Sequence, residues 1–484
     1  MTLSRRGFLA AGSAAIAVSA APLLERPVFK LAAAAETEPT VLRVANRTIE
    51  VNGKPAKVYG LLQPDDRPGI VTPAGRFRVR LENQIEAPTL IHWHGLLPPY
   101  GQDGVPDLPQ ALLPSGQSYD YDFPLKTPGT HWMHAHTLQE QQLMAAPLIV
   151  TDPAEAARDE QQVVVLFHDF SFKSPEELLA GLRSNQVMSG MPSDGGMSGM
   201  EGMSTMPGHS MTSGTAMDIN DIDYDAYLAN DRTLDDPEVF RVESGGFVRL
   251  RLINGAPATA FWIDLGNLAC KAIAVDGNAI MPITGMPFPL AMGQRIDIRI
   301  RLPKAEGAWP ILALREGAVE RTGFVLATKS GAVRRIAPVG EQPTGPLDLE
   351  FETNLRAAEP FAEKPADRSH SLTLRGDMAA YAWSLSSASG QNRPLSVRAG
   401  DRVEVTMAND TMMSHPMHLH GHHFQVVAID GRRLAGAVRD TVWVPPMRQV
   451  TIAFDANNPG RWAFHCHHLY HMAAGMMTTV AYQA

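Results

Sequence analysis

The segment GRWAFHCHHLYHMAAGM, Gly460 to Met476, puts one of the chain's two cysteines between two histidines, with a further histidine and a methionine close behind. Read as the end of a β-strand, it turns Cys466 to one face and His465 and His467 to the other, because side chains two apart share a face. The rare thiol is thereby aimed away from its neighbouring imidazoles. Each face of this strand requires its own partners elsewhere in the chain.

Three other segments repeat the device: IHWHG with His92 and His94, HWMHAH with His134 and His136, and HPMHLHG with His415, His418 and His420. In a strand each His-x-His pair presents two imidazoles on one side, ~6.6 Å apart along the backbone. Two pairs fall early in the chain and two late, so a metal cluster made from them would tie its ends together. On the opposite face, the Cys466 thiolate, the His415 and His471 imidazoles and a weak axial thioether from Met476 make up the ligand set of a blue-copper electron-transfer site and a poor one for zinc. The eight remaining paired histidines, His92, His94, His134, His136, His418, His420, His465 and His467, are too many for one ion. They fit three coppers, which with the first can deliver four electrons to dioxygen together. An electron reaching Cys466 has a covalent route to them through His465 and His467.

Around these segments, short β-branched runs such as VLRVANRTIEVNG, RFRVRLENQ, QQVVVLFHDFSF, QRIDIRIRLP and DRVEVTMAND alternate with Gly/Pro turns, and no long helical period intervenes. The expected fold is all-β, with three β-sandwiches in series over 36–155, 156–340 and 341–484, the last carrying the Cys466 site. Arg5 and Arg6 precede a modest apolar run, Phe8 to Leu24, and small residues at 32–36, so residues 1–35 read as a twin-arginine signal that sends the folded protein to the periplasm. That run is too short and too rich in Ala, Gly and Ser for a membrane span, and no other stretch approaches one. A net charge of −9 with scattered Lys and Arg excludes nucleic acid as a partner. A monomer is expected, and Cys270, in LACKAIAV, reads as a small buried hydrophobe.

An insertion without hydrophobic periodicity breaks the second block at 188–218. It carries Met188, Met191, Met197, Met200, Met203, Met206, Met211 and Met217, with His209 among them. Thioethers are soft and unprotonated at ordinary pH, so they favour Cu(I). In NDTMMSHPMH, Asp410, Met412 and Met413 form a second candidate docking site for a substrate Cu(I) ion.

The four histidine segments resemble those of the multicopper oxidases over essentially the whole mature chain. DGVPDLP, HTLQEQ, YDAYLANDRTLDDP and the opening segment look most like the bacterial copper-resistance oxidases. The resemblance implies three cupredoxin-like Greek-key domains and four copper ions. It puts His92 and His418 on a type 2 copper, and His94, His134, His136, His420, His465 and His467 on a type 3 pair. His415, Cys466, His471 and axial Met476 fall to type 1. Asp103, in QDGVP, matches the family's acid near the type 2 copper, which helps deliver protons. Met472 departs from the pattern, since many bacterial laccase-like members carry a glutamate just after the last type 1 histidine. Either Asp103 then suffices with water or another acid, Glu140 in LQEQ, substitutes. The implied activity is oxidation of Cu(I) to Cu(II) coupled to reduction of O2 to water. The alternatives are a laccase for phenols and a copper-sequestering protein.

Overall fold

The computed structural model describes residues 2–3, 38–189, 219–285, 287–387 and 390–483, and over these the chain forms β-sandwiches in series. In the first, the sheet Lys54–Leu62, Thr40–Val51, Gly75–Asn83, Ser118–Leu125 faces the sheet Ile70–Pro73, Ala145–Thr151, Gly129–Ala135, Ile91–His92. Phe77, Trp93, Tyr121, Phe123 and Leu148 fill the space between them. The second and third sandwiches each pair a seven-stranded with a five-stranded sheet. Their cores are centred on residues such as Phe261, Ile298 and Phe324, and on Val405, Phe424, Trp462 and Phe464. Thr2–Leu3 adds a two-residue edge to the second sandwich beside Gln162 and Val163.

Strand FVRLRLIN, Phe247–Asn254, shows how the sandwiches are joined. Its even-numbered Val248, Leu250 and Leu252 are fully buried in the second core. Its odd-numbered Arg249 and Arg251 point the other way, where they share Glu155 and, from the neighbouring strand of the same sheet, Asp297, and Arg251 Nη1 donates to Thr130 Oγ1 of the first sandwich at 2.9 Å. Buried guanidinium groups survive only with such partners. A strand with one apolar and one charged face thus becomes an interface.

One expectation fails for a definable reason. Pro175–Ser189 is a 15-residue α-helix leading into the methionine-rich stretch. Ser174 and Glu177 form a reciprocal capping box, with Glu177 N donating to Ser174 Oγ at 3.2 Å and Ser174 N to Glu177 Oε2 at 2.7 Å, and Pro175 occupies the first helical position. The capping signal S-P-E-E is plain in the sequence, while the apolar period behind it is weak. Cys270 also differs, being only partly buried at the edge of the second core.

Register brings the histidine segments together. His134 pairs directly with His92 across the antiparallel strands Gly129–Ala135 and Ile91–His92. In the third sandwich, strand His415–Leu419 runs antiparallel to Arg461–Cys466, setting Met417 opposite Cys466 and His418 opposite His465.

Candidate metal centres

Cys466 leaves its strand on the face expected from alternation. Its Sγ lies 3.6 Å from His415 Nδ1 and 3.8 Å from His471 Nδ1, and those two nitrogens are 3.2 Å apart. All three side chains are buried, and their ligand atoms lie close enough to share one ion. Met476, also wholly buried, is tied into the same turn by Cys466 N–H donating to its carbonyl at 3.0 Å. The outer nitrogens are held as well. His415 Nε2 meets Thr411 Oγ1 at 2.8 Å, and His471 Nε2 donates to Asp221 Oδ2 at 3.0 Å. Such partners fix the ring and leave Nδ1 for a metal. The His471 ring is further enclosed by His468, stacked at 3.7 Å, and Trp383 at 3.9 Å. Asp221 in addition accepts the Tyr381 hydroxyl at 2.6 Å.

On the other side of the strand, the eight paired histidines form one buried cluster between the first and third sandwiches. His136, His420 and His465 point their Nε2 atoms at one another, with separations of 3.2 Å and 2.9 Å from His465. His94 Nδ1 faces His134 Nε2 at 3.4 Å, with the His467 ring 5.0 Å from both rings. His92 and His418 oppose their Nε2 atoms at 3.4 Å. These groupings overlap with others, since His92 also lies within ligand distance of His94 and His134, and of His420.

Hydrogen bonds from the rear of these rings set those directions. Asp103 serves two rings, its carbonyl accepting from His92 Nδ1 at 2.9 Å and its Oδ2 from His420 Nδ1 at 2.9 Å. Gly104 makes this possible at φ +83, since a Cβ there would meet the Ile91 carbonyl oxygen at 1.8 Å. Glu140 Oε2 accepts from His134 Nδ1 at 2.9 Å, and Asp440 Oδ1 from His94 Nε2 at 3.0 Å. Asp440 is in turn gripped by Arg295 of the second sandwich, Nη1 to Oδ1 at 2.7 Å. Both ring nitrogens of His467 are buried and have no hydrogen-bond partner. A buried imidazole with two orphaned nitrogens fits a missing metal ligand.

Burial also fixes protonation. It holds His94, His134, His136, His415, His418, His420 and His467 well below the usual imidazole range, and His465 and His471 down to about 3. Neutral imidazole is the metal-binding form. Burial pushes the Cys466 thiol up and the Glu140 carboxyl well up. A thiol so buried ionises only when a cation replaces its proton.

The structure thus brings together the ten histidines and Cys466 named from the sequence, with Asp103 and Glu140 both on cluster imidazoles. The expected trio Asp410, Met412 and Met413 divides: Asp410 and Met412 are exposed, whereas Met413 packs in the third core. Met188 closes the Pro175–Ser189 helix. Met191, Met197, Met200, Met203, Met206, His209, Met211 and Met217 lie outside the described residues. Met472 sits on the short helix Leu469–Ala473, packed against the third core. Most histidines outside the scheme have other partners, such as Tyr482 Oη for His422, the Gly95 carbonyl for His423 and the Ser396 carbonyl for His370. Sequence reasoning missed Asp221, Thr411, Asp440 and Arg295. An acid within the apolar run AVRDTVWVP was the available sign for Asp440.

Comparison with known proteins agrees over the whole length. Multicopper oxidase family models match residues 67–155, 163–330 and 363–484. The chain is 31% identical over 509 residues to multicopper oxidase MmcO of Mycobacterium tuberculosis, covering 99% of this chain and 96% of that protein. It is 25% identical over 525 residues to copper resistance protein A of Escherichia coli, covering 83% and 85% of the two chains. Among solved structures it resembles Fet3p, a multicopper oxidase that functions in iron import, with a TM-score of 0.73 at 18% identity over 93% of this chain and 91% of that one.

Proposed function

Because this chain belongs to the multicopper oxidase family, we propose that it oxidises Cu(I) to Cu(II) in the periplasm, as part of copper tolerance, and passes the electrons to dioxygen. Four Cu(I) ions and four protons then convert one O2 to two waters. In this reading His415, Cys466, His471 and Met476 would hold a type 1 copper, and His92 and His418 a type 2 copper. His136, His420 and His465, with His94, His134 and His467, would hold a type 3 pair. Bound there, copper supplies one-electron redox chemistry at the first site and the four-electron reduction of O2 at the others.

The observation that carries the choice of Cu(I) is the closure of His471. Its outer nitrogen is held by a buried carboxylate and its ring lies between His468 and Trp383, so a phenol has no open imidazole edge to stack upon. A small ion needs no such edge. Asp221 stands three residues after the methionine-rich stretch, and exposed Met412 lies three residues before His415. In sequence, soft donors therefore adjoin the acid that holds His471 and the strand that carries His415. Cys466 then joins the two sites through its own backbone bonds to His465 and His467.

The test is O2 uptake with chelated Cu(I) and with a phenol, for the intact protein and for one lacking Met188 to Met217. Turnover of Cu(I) should fall on deletion and phenol turnover should not; unchanged Cu(I) turnover overturns the preference. Sequestration as the main role predicts copper uptake without sustained O2 consumption. Cys466→Ser should abolish both the blue absorption and all oxidase activity.

A further inference from the structure

Gln141 is a buried point at which all three sandwiches meet. It is 3% exposed, on the short 3-10 helix Leu138–Gln142 that follows His134 and His136. Its Oε1 accepts two phenol hydroxyls, Tyr470 at 2.9 Å and Tyr224 at 2.8 Å. Its Nε2 donates to Asp169 Oδ1 at 2.9 Å. The other oxygen of Asp169 receives Ala258 N at 3.0 Å and Thr259 Oγ1 at 2.9 Å, and the preceding residue of that loop, Pro257, accepts Leu469 N at 2.9 Å. First, second and third sandwiches are thereby closed on a single side-chain amide.

The chemistry allows no other side chain of this size. Two hydroxyl donors require an oxygen, and the Asp169 carboxylate requires an N–H, so the amide can point only one way. Glutamate would set a second carboxylate against Asp169, and leucine would strand two phenols and one carboxylate oxygen in the interior.

What this bracket holds matters for electron flow. Tyr470 precedes His471 on the helix Leu469–Ala473, which leads from the Cys466 strand through Met476 into the neighbouring strand Met477–Tyr482. Glu140, the neighbour of Gln141, holds His134 Nδ1. Tyr224 belongs to the strap Ile219–Asp225, whose Asp221 holds His471 Nε2 and whose Ile222 is buried in the third core. Residues 140 and 141 thus grip the histidine cluster with one side chain and the His471 lobe with the next.

We infer that Gln141 is a positioning residue, whose bracket on Tyr470 and Tyr224 keeps the His471 lobe in register with the histidine cluster. The inference rests on reading His415, Cys466 and His471 as the type 1 centre. In copper-loaded protein, Gln141→Leu and Tyr470→Phe should shift the blue absorption band and lower kcat about tenfold, with KM within about twofold of the parent. In copper-free protein, amide exchange should quicken across Leu469–Ala474 and stay unchanged across Arg461–His465. Uniformly faster exchange with an unaltered band and unaltered kcat would mean that Gln141 contributes stability only, and would overturn the inference. Should Gln141→Leu fail to accumulate, Tyr470→Phe decides, since it leaves Gln141 paired with Tyr224. A fully loaded parent without a blue band would sink the type 1 reading instead, and the exchange measurement would still judge the bracket.

Discussion

A carboxyl group that is buried with one hydrogen-bond donor keeps its proton longer than it would in water. Glu316 is such a group: its side chain accepts Leu347 N–H at 2.6 Å, and burial pushes it up to about 7 from 4.5. Its folded value lies above its unfolded value, so the native state holds the proton more tightly. Stability is therefore lost as pH rises from 4.5 to 7, by roughly 3 kcal/mol in all. Glu316→Gln keeps an acceptor for Leu347 and removes the ionisation. Its melting temperature should exceed the parent's at pH 8 and match it at pH 4, and parallel profiles would refute this. Glu140 acts differently, as the rear support of His134. Glu140→Ala should weaken copper retention by roughly ten- to a hundredfold, measured by competition with a chelator. Neither role was legible in the sequence, because LQEQ and REGA look like surface loops and only folding shows which carboxylate loses its water.

Among elements, the turn after Asp103 carries the sharpest constraint. Gly104 lies against the Ile91 carbonyl while its N–H donates to Gln110 Oε1 at 2.7 Å, and this presses Asp103 onto His92 and His420. Gly104→Ala should cost about 1–3 kcal/mol and reduce the copper bound by the cluster, read by thermal unfolding and metal analysis together. Full copper content in a destabilised variant would show that the turn supports the fold alone. Strand alternation was readable here because it depends only on local geometry: Cys466 and His465 point as their order demands. The capped helix Pro175–Ser189 was overlooked because its end signal was strong and its apolar period weak. Asp221 was overlooked because its partner His471 is 250 residues away, and no local pattern encodes such a contact.

At the scale of the molecule, the second sandwich supplies no paired histidine but holds the cluster through charge. Asp276 accepts Arg295 N at 2.9 Å and Arg439 Nη1 at 3.0 Å, while Arg439 also reaches Glu352 at 2.9 Å and Arg295 reaches Asp440. All of these groups are buried. Asp276→Asn would leave two guanidinium groups short of a counter-charge and should destabilise the copper-free protein by about 3–5 kcal/mol, followed by chemical unfolding. A loss below 1 kcal/mol would mean that Asp440 and Glu352 suffice. The serial sandwiches were legible from β-branched runs and turns, and the residues that gather in the histidine cluster from their spacing. The ionic contacts between sandwiches were not, since arginines at positions 249, 251, 295 and 439 carry no mark that separates them from surface arginines.

The pairing of His134 with His92, and of His418 with His465, has a consequence for timing during synthesis. The ribosome completes the first histidine strands long before the last. At roughly 5–20 residues per second, the His92 half of the cluster waits on the order of tens of seconds for its counterpart. Only closure of the third sandwich encloses that half, so the buried cluster is complete only after translation has ended.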